Sequence, residues 1–151
     1  MTTNDDLVMV LFINANAALG RFSIVDSEGA VVLRGYLRRF VHPHPDEIFF
    51  DVSVAKEAIT LAWKKKKKIK AKQMRLTLNT DAALLLSTRY QASLRGGPAR
   101  ILQKVSQMHG ITLEVKHISA LSNPAHRRTL YDDEKARHAN DLSKLLAGKI
   151  I

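Results

Sequence analysis

Where this chain could do chemistry, polar residues stand at the ends of apolar runs. Asn14 follows Phe12-Ile13 at the close of the run from Leu7, and Asp81 follows Thr80 after Leu76-Thr77-Leu78-Asn79. Glu57 falls inside an amphipathic stretch, and Ala139-Asn140-Asp141-Leu142-Ser143-Lys144 lies near the end of the chain, with His126 ahead of it. Taken singly, each has a plain structural role: Glu57 as a solvated helix acid, and Asp81 as the N-cap of a helix starting at Ala82. The second chemistry is cationic. Lys64, Lys65, Lys66, Lys67 and Lys68 run together, with Lys70 and Lys72 beyond them, while Arg89, Arg95 and Arg100 surround Gly96-Gly97. Like charges this dense repel one another and favour a phosphate backbone as counterion; a solvated helix end and a solubilising role are the alternatives.

Bulk properties bound the partners. The chain carries 24 Lys and Arg against 14 Asp and Glu, a formal charge of +10. Such a surface gains affinity for a polyanion by releasing condensed counterions. Cysteine is absent, which removes disulfide frameworks, thiolate nucleophiles and cysteine-ligated zinc. His42 and His44 sit in a proline-rich stretch without further ligands nearby, a weak basis for zinc. No glycine-rich phosphate loop, nucleophile elbow or dinucleotide fingerprint occurs. Neither a membrane-spanning run nor a basic-apolar-small leader is present, so the expectation is an intracellular or virion-associated protein that is not secreted and has no membrane partner.

Length and pattern supply the elements that must position these groups. A chain of 151 residues fits one domain over 1–151, burying roughly 68–70% of its unfolded surface. Three strands are expected at Leu7 to Ile13, Arg21 to Val25 and Ala30 to Leu37, the last two separated by the Asp26-Ser27-Glu28-Gly29 turn. The prolines of His42-Pro43-His44-Pro45 force a loop. Ser53 to about Lys68 reads as a helix capped by Ser53, with Trp63 as core packing rather than a base-stacking surface. A strand at Arg75 to Asn79, helices at Asp81 to Tyr90 and Ala99 to His109, and a strand at Ile111 to Ile118 follow. Ser119 to about Leu130 reads as loop, and Asp132 to Leu146 as a terminal helix.

The resulting order, β-β-β-α-β-α-α-β-α, places Asn14 at the end of the first strand, Glu57 in the first helix, Asp81 after the fourth strand and Asn140-Asp141 in the last helix. In this the chain resembles the ribonuclease H domain of retroelement and hepadnavirus-type reverse transcriptases over nearly its whole length. Thr80 to Tyr90 and Ile118 to Ala125 carry the likeness. Ala139-Asn140-Asp141-Leu142-Ser143-Lys144 is similar to the Ala-Asp-x-Leu-Ser-Arg ending of retrotransposon domains, displaced by an insertion.

The resemblance implies an α/β ribonuclease H-like fold, a mixed five-stranded sheet flanked by helices, with four carboxylates at its centre holding two Mg²⁺ or Mn²⁺ ions. Two metals clamp the attacking water and the leaving oxygen of a phosphodiester, and such hard cations require oxygen ligands. Glu57 and Asp81 match the second and third carboxylates, and Asn14 occupies the first. The fourth falls on Asn140 if Leu142-Ser143-Lys144 sets the alignment and on Asp141 if the available acid is chosen. One helical residue between them is a rotation of about 100°. An amide at position 14 offers an oxygen but no charge. His126 stands where related enzymes carry a histidine that assists proton transfer or product release, an ordinary loop residue being the alternative.

The implied function is binding of RNA–DNA hybrid and, with a complete metal site, hydrolysis of its RNA strand to leave a 3′-hydroxyl, impaired here by Asn14. The implied partners are nucleic acid and the rest of a reverse transcriptase or a larger nucleoprotein assembly. A noncatalytic nucleic-acid-binding or scaffold domain is the second reading, and a protein-interaction domain whose lysines confer solubility is the third.

Overall fold

The computed structural model describes residues 6–36, 47–87 and 97–130. Three strands come first: β1 (Asp6–Asn16), β2 (Arg21–Asp26) and β3 (Val31–Tyr36). They form an antiparallel meander. Its second turn is tied by Asp26 Oδ1, which accepts from the backbone N–H groups of Glu28 and Ala30, both at 2.9 Å. Gly29 supplies the positive φ of 84° that this turn requires.

A long helix, α1 (Glu47–Ile69), leads to β4 (Gln73–Thr80), which pairs parallel with β1. After it come α2 (Gly97–Met108) and β5 (Ile111–His117), parallel to β4. The strand order is β3-β2-β1-β4-β5. The molecule is thus an α/β protein with a five-stranded mixed sheet flanked by helices, consistent in general with a ribonuclease H-like fold.

Strand alternation divides the sheet into two faces. Leu11, Ile13, Phe22, Ile24, Leu76, Leu78 and Leu113 pack with Phe50, Ala55, Ala58, Ile59 and Ala62 of α1 and Leu102 of α2. Phe22 and Phe50 meet edge to face, with ring centroids 6.2 Å apart. The opposite face is covered by a short helix, α3 (Pro124–Leu130). Beneath it, Ser23 and Val25 are also buried, so β2 has both faces covered.

Three expected elements differ. The first helix begins at Glu47, not Ser53: Ser53 is interior, and its Oγ donates to the Phe49 carbonyl one turn back at 2.8 Å. After Asp81 the chain makes a 3-10 turn at Ala83–Leu86 rather than an α-helix, and residues 88–96 lie outside the described residues. The stretch read as loop contains α3. The terminal helix expected at Asp132 to Leu146 and the loop at His42 to Asp46 also lie outside the described residues.

At its C-terminus α1 closes in a Schellman arrangement. The Ala71 N–H bonds to the Lys66 carbonyl and the Lys70 N–H to the Lys67 carbonyl. Lys70 takes the left-handed position, φ 57°, where glycine is usual.

Candidate functional site

Parallel pairing of β1 and β4 sets their carboxyl ends side by side. The register runs through Ile13 opposite Thr80, so Asn14 and Asp81 emerge as neighbours. The Asn14 amide donates from Nδ2 to both oxygens of Asp81, at 2.9 and 3.0 Å. Its orientation follows from chemistry, since the amide oxygen turned toward a carboxylate would set two acceptors against each other. Asn14 Oδ1 is buried and accepts no hydrogen bond from the protein.

A third residue completes the cluster. Asn123, only 2% exposed, donates to Asp81 Oδ1 and to the Ile13 carbonyl, each at 2.9 Å. Its Oδ1 accepts from the Ala125 N–H at 3.0 Å, capping α3, whose first residue is Pro124. One side chain therefore ties β1, the end of β4 and α3 together. Thr129 on the next turn of α3 is buried against the same place and bonds back to the Ala125 carbonyl.

His126 projects from the first turn of α3. Its Nδ1 lies 3.4 Å from Asn14 Nδ2 and 3.6 Å from Asp81 Oδ2. An unprotonated Nδ1 accepts from the amide, whereas a protonated one faces the carboxylate. Asp81 does not cap the turn that follows it. Thr80 Oγ1 accepts the Ala82 N–H at 3.0 Å, leaving the Asp81 carboxylate to the amides.

These groups open onto a cleft of about 330 Å³ lined by Asn14, Asn16, Asp51, Asp81, Leu84 and His126, among others. The structure thus unites Asn14, Asp81 and His126. Glu57 is half-buried on α1 and is not in the lining; α1 contributes Asp51 instead. Because α1 starts six residues before Ser53, Asp51 overhangs the strand ends, and Glu57 lies about 9 Å further along the axis. Asn140 and Asp141 lie outside the described residues.

Among the described residues the donor set does not fit a pair of divalent cations. Asp81 is surrounded by N–H donors, Asn14 supplies one neutral oxygen, and among the described residues no three His, Asp or Glu converge as metal ligands. A dication at Asp81 would compete with the amides, whose three N–H bonds occupy most of the carboxylate's lone-pair sites.

The basic residues divide. Lys64, Lys65, Lys67 and Lys68 are exposed, but Lys66 is half-buried and donates to the His109 carbonyl at 3.3 Å. Gly110 makes room for it, since a Cβ there would lie 2.8 Å from Lys66 Nζ. Trp63 packs on the core and is flanked by the His109 ring, centroids 4.8 Å apart, and by Lys67 Nζ, 4.4 Å from its centroid. Arg100 is exposed near the start of α2, the end joined to the turn after Asp81 by the Ala99 N–H to Ser87 carbonyl bond. Arg89 and Arg95 lie outside the described residues, as do His42 and His44.

Asn123 and Asp51 were not singled out from sequence. Asn123-Pro124 carries a signal, an N-cap residue followed by proline at the first helical position; for Asp51 the signal is indirect, an N-cap residue type at position 46 followed by the acidic Glu47, which starts the helix early enough to include it.

Fold and site together define an α/β domain with a polar cleft at the carboxyl ends of adjacent parallel strands. No protein-family model matches the chain, and no curated protein sequence matches it. Among the described residues no helix is long and apolar enough to cross a membrane.

Proposed function

We propose that the chain is a retroelement-type ribonuclease H domain that binds RNA–DNA hybrid, and that Asn14 leaves it holding hybrid without the metal pair needed for rapid hydrolysis. The observation that carries this reading is the Asn14–Asp81 contact at the ends of β1 and β4, within a sheet ordered β3-β2-β1-β4-β5. Those are the positions at which the family resemblance expects two carboxylates. The net charge of +10 supplies the attraction to phosphates. Mg²⁺ or Mn²⁺ belongs to the reading only once a carboxylate stands at position 14.

The chain's own residues have separable roles in it. Asn14 and Asn123 hold the Asp81 carboxylate in place without a cation. His126 is placed to exchange a proton at Nδ1 with the same cluster, and Arg100 and the exposed lysines meet the sugar-phosphate backbone.

Hybrid cleavage by Asn14→Asp tests the proposal, alone and with Asn140→Asp, against Asp81→Asn on the same background. Mg²⁺-dependent cleavage of the RNA strand should appear in Asn14→Asp and vanish in the Asp81→Asn control. A folded Asn14→Asp/Asn140→Asp protein that binds hybrid yet never cleaves it would remove the enzymatic ancestry from the reading. The engagement of Asp81 by amide donors also favours a second reading, a noncatalytic scaffold inside a reverse transcriptase or larger nucleoprotein assembly. Hybrid binding without cleavage in the repaired protein selects it, whereas failure to bind hybrid at low salt selects a protein-interaction domain whose lysines confer solubility.

A further inference from the structure

The lysine run and the cleft occupy opposite ends of α1. Asp51 lines the cleft, and at about 1.5 Å per residue Lys64 lies about 20 Å, and Lys68 about 26 Å, further along the axis. At that far end the side chains of Lys64, Lys65, Lys67, Lys68 and Lys70 are exposed. The helix end carrying them is braced by the Lys66 bond to the His109 carbonyl and by Trp63 against His109. The cations are thus presented from a fixed base, and they do not surround the cleft.

We propose that this end of α1 is a second phosphate-backbone contact, separate from the cleft, and that the protein binds nucleic acid bipartitely. The inference rests on the hybrid-binding reading and adds a length requirement to it. Successive phosphates on a strand are about 3.4 Å apart along a B-form axis, so a duplex must extend at least about six to eight base pairs from the cleft to reach the lysines, and an A-form-like hybrid, with its smaller rise, somewhat more. The lysines do not act on a shorter ligand through their field alone. A separation of about 20 Å exceeds two Debye lengths at physiological ionic strength, where the screening length is about 8 Å.

The test compares hairpin-closed RNA–DNA hybrids of about 5 and about 20 base pairs, titrated against the intact chain and its Lys64→Gln/Lys65→Gln/Lys67→Gln/Lys68→Gln variant across a range of salt. With the long hybrid, the variant should lose on the order of three units of log–log salt slope, near 0.9 for each phosphate contact removed. With the short hybrid the two proteins should bind alike at physiological ionic strength and above, where the lysines' field is screened. Equal weakening on both lengths would place the lysines within the cleft's own footprint, and no change on either would leave them as solubilising charge; both outcomes overturn the proposal. If the intact chain binds neither hybrid, the hybrid-binding reading itself falls, and the bipartite one falls with it. The unfolding transition of the variant, expected to match that of the intact chain, separates lost contacts from lost structure.

Discussion

The two ends of α1 use polar side chains in opposite ways. At the Asp51 end, Asn14, Asp81 and Asn123 spend their hydrogen bonds on one another, and one carboxylate receives N–H groups from two amides. At the lysine end Lys66 donates to the His109 carbonyl and Lys67 lies over the Trp63 ring, while Lys64, Lys65 and Lys68 are exposed. The first arrangement fixes the positions of three segments; the second fixes little beyond the end of a helix. A buried polar cluster is costly to disrupt because each lost partner strands another group, whereas exposed cations cost almost nothing to remove. Stability should therefore concentrate at the first end and salt-dependent binding at the second.

The sharpest way to break this contrast is at Asn123. Asn123→Ala removes the α3 cap and two further hydrogen bonds from a buried site, and is expected to cost about 2–4 kcal/mol in denaturant unfolding. A cost below that of an ordinary surface substitution would mean the cluster holds nothing together.

Asn14→Asp comes next. In EDTA it sets a carboxylate where an amide donor had been, against Asp81, and should destabilise the fold by about 2 kcal/mol. Millimolar Mg²⁺ should restore part of that loss, because a cation that binds only the folded variant stabilises it by mass action. The melting temperature of the unsubstituted chain should not respond to either treatment. A rise in its melting temperature with Mg²⁺ would show that the amides do not replace a cation.

At the lysine end the effects are smaller. Lys66→Met keeps the side-chain stem but loses the bond to the His109 carbonyl, an expected cost of about 1 kcal/mol with the salt slope of hybrid binding unchanged. Flattening of that slope would return Lys66 to the group of phosphate contacts. Lys70→Gly should stabilise by about 0.5–1 kcal/mol, since glycine occupies the left-handed position at the end of α1 without Cβ strain. Thermal unfolding reads this directly, and a loss of stability would contradict the assigned helix end.

The same contrast governs what could be read from sequence. The lysine end was legible, because a run of charge on an amphipathic helix needs no tertiary information. The strands followed from the apolar runs, whereas the meeting of Asn14 with Asp81 was expected only from the order of elements that the family resemblance implies. Asp51 was missed because its place depends on where α1 starts: Ser53 reads as the cap, although Asp46 before the acidic Glu47 is an equally good start signal in the sequence. Helical propensity after Asp81 misled: Ala82 to Leu86 are good helix formers, yet Thr80 takes the Ala82 N–H and the segment turns as 3-10. The Asn123-Pro124 pair was visible as loop chemistry, although the same two residues start α3.

The central claim is that an amide cluster, not a cation, organises the cleft that meets hybrid. It is tested most directly by measuring the affinity of the unsubstituted chain for a long RNA–DNA hybrid at constant ionic strength, in EDTA and in Mg²⁺. The expected result is the same dissociation constant in both, with the hybrid left intact. Binding that appears only with Mg²⁺ and is followed by cleavage of the RNA strand would contradict it.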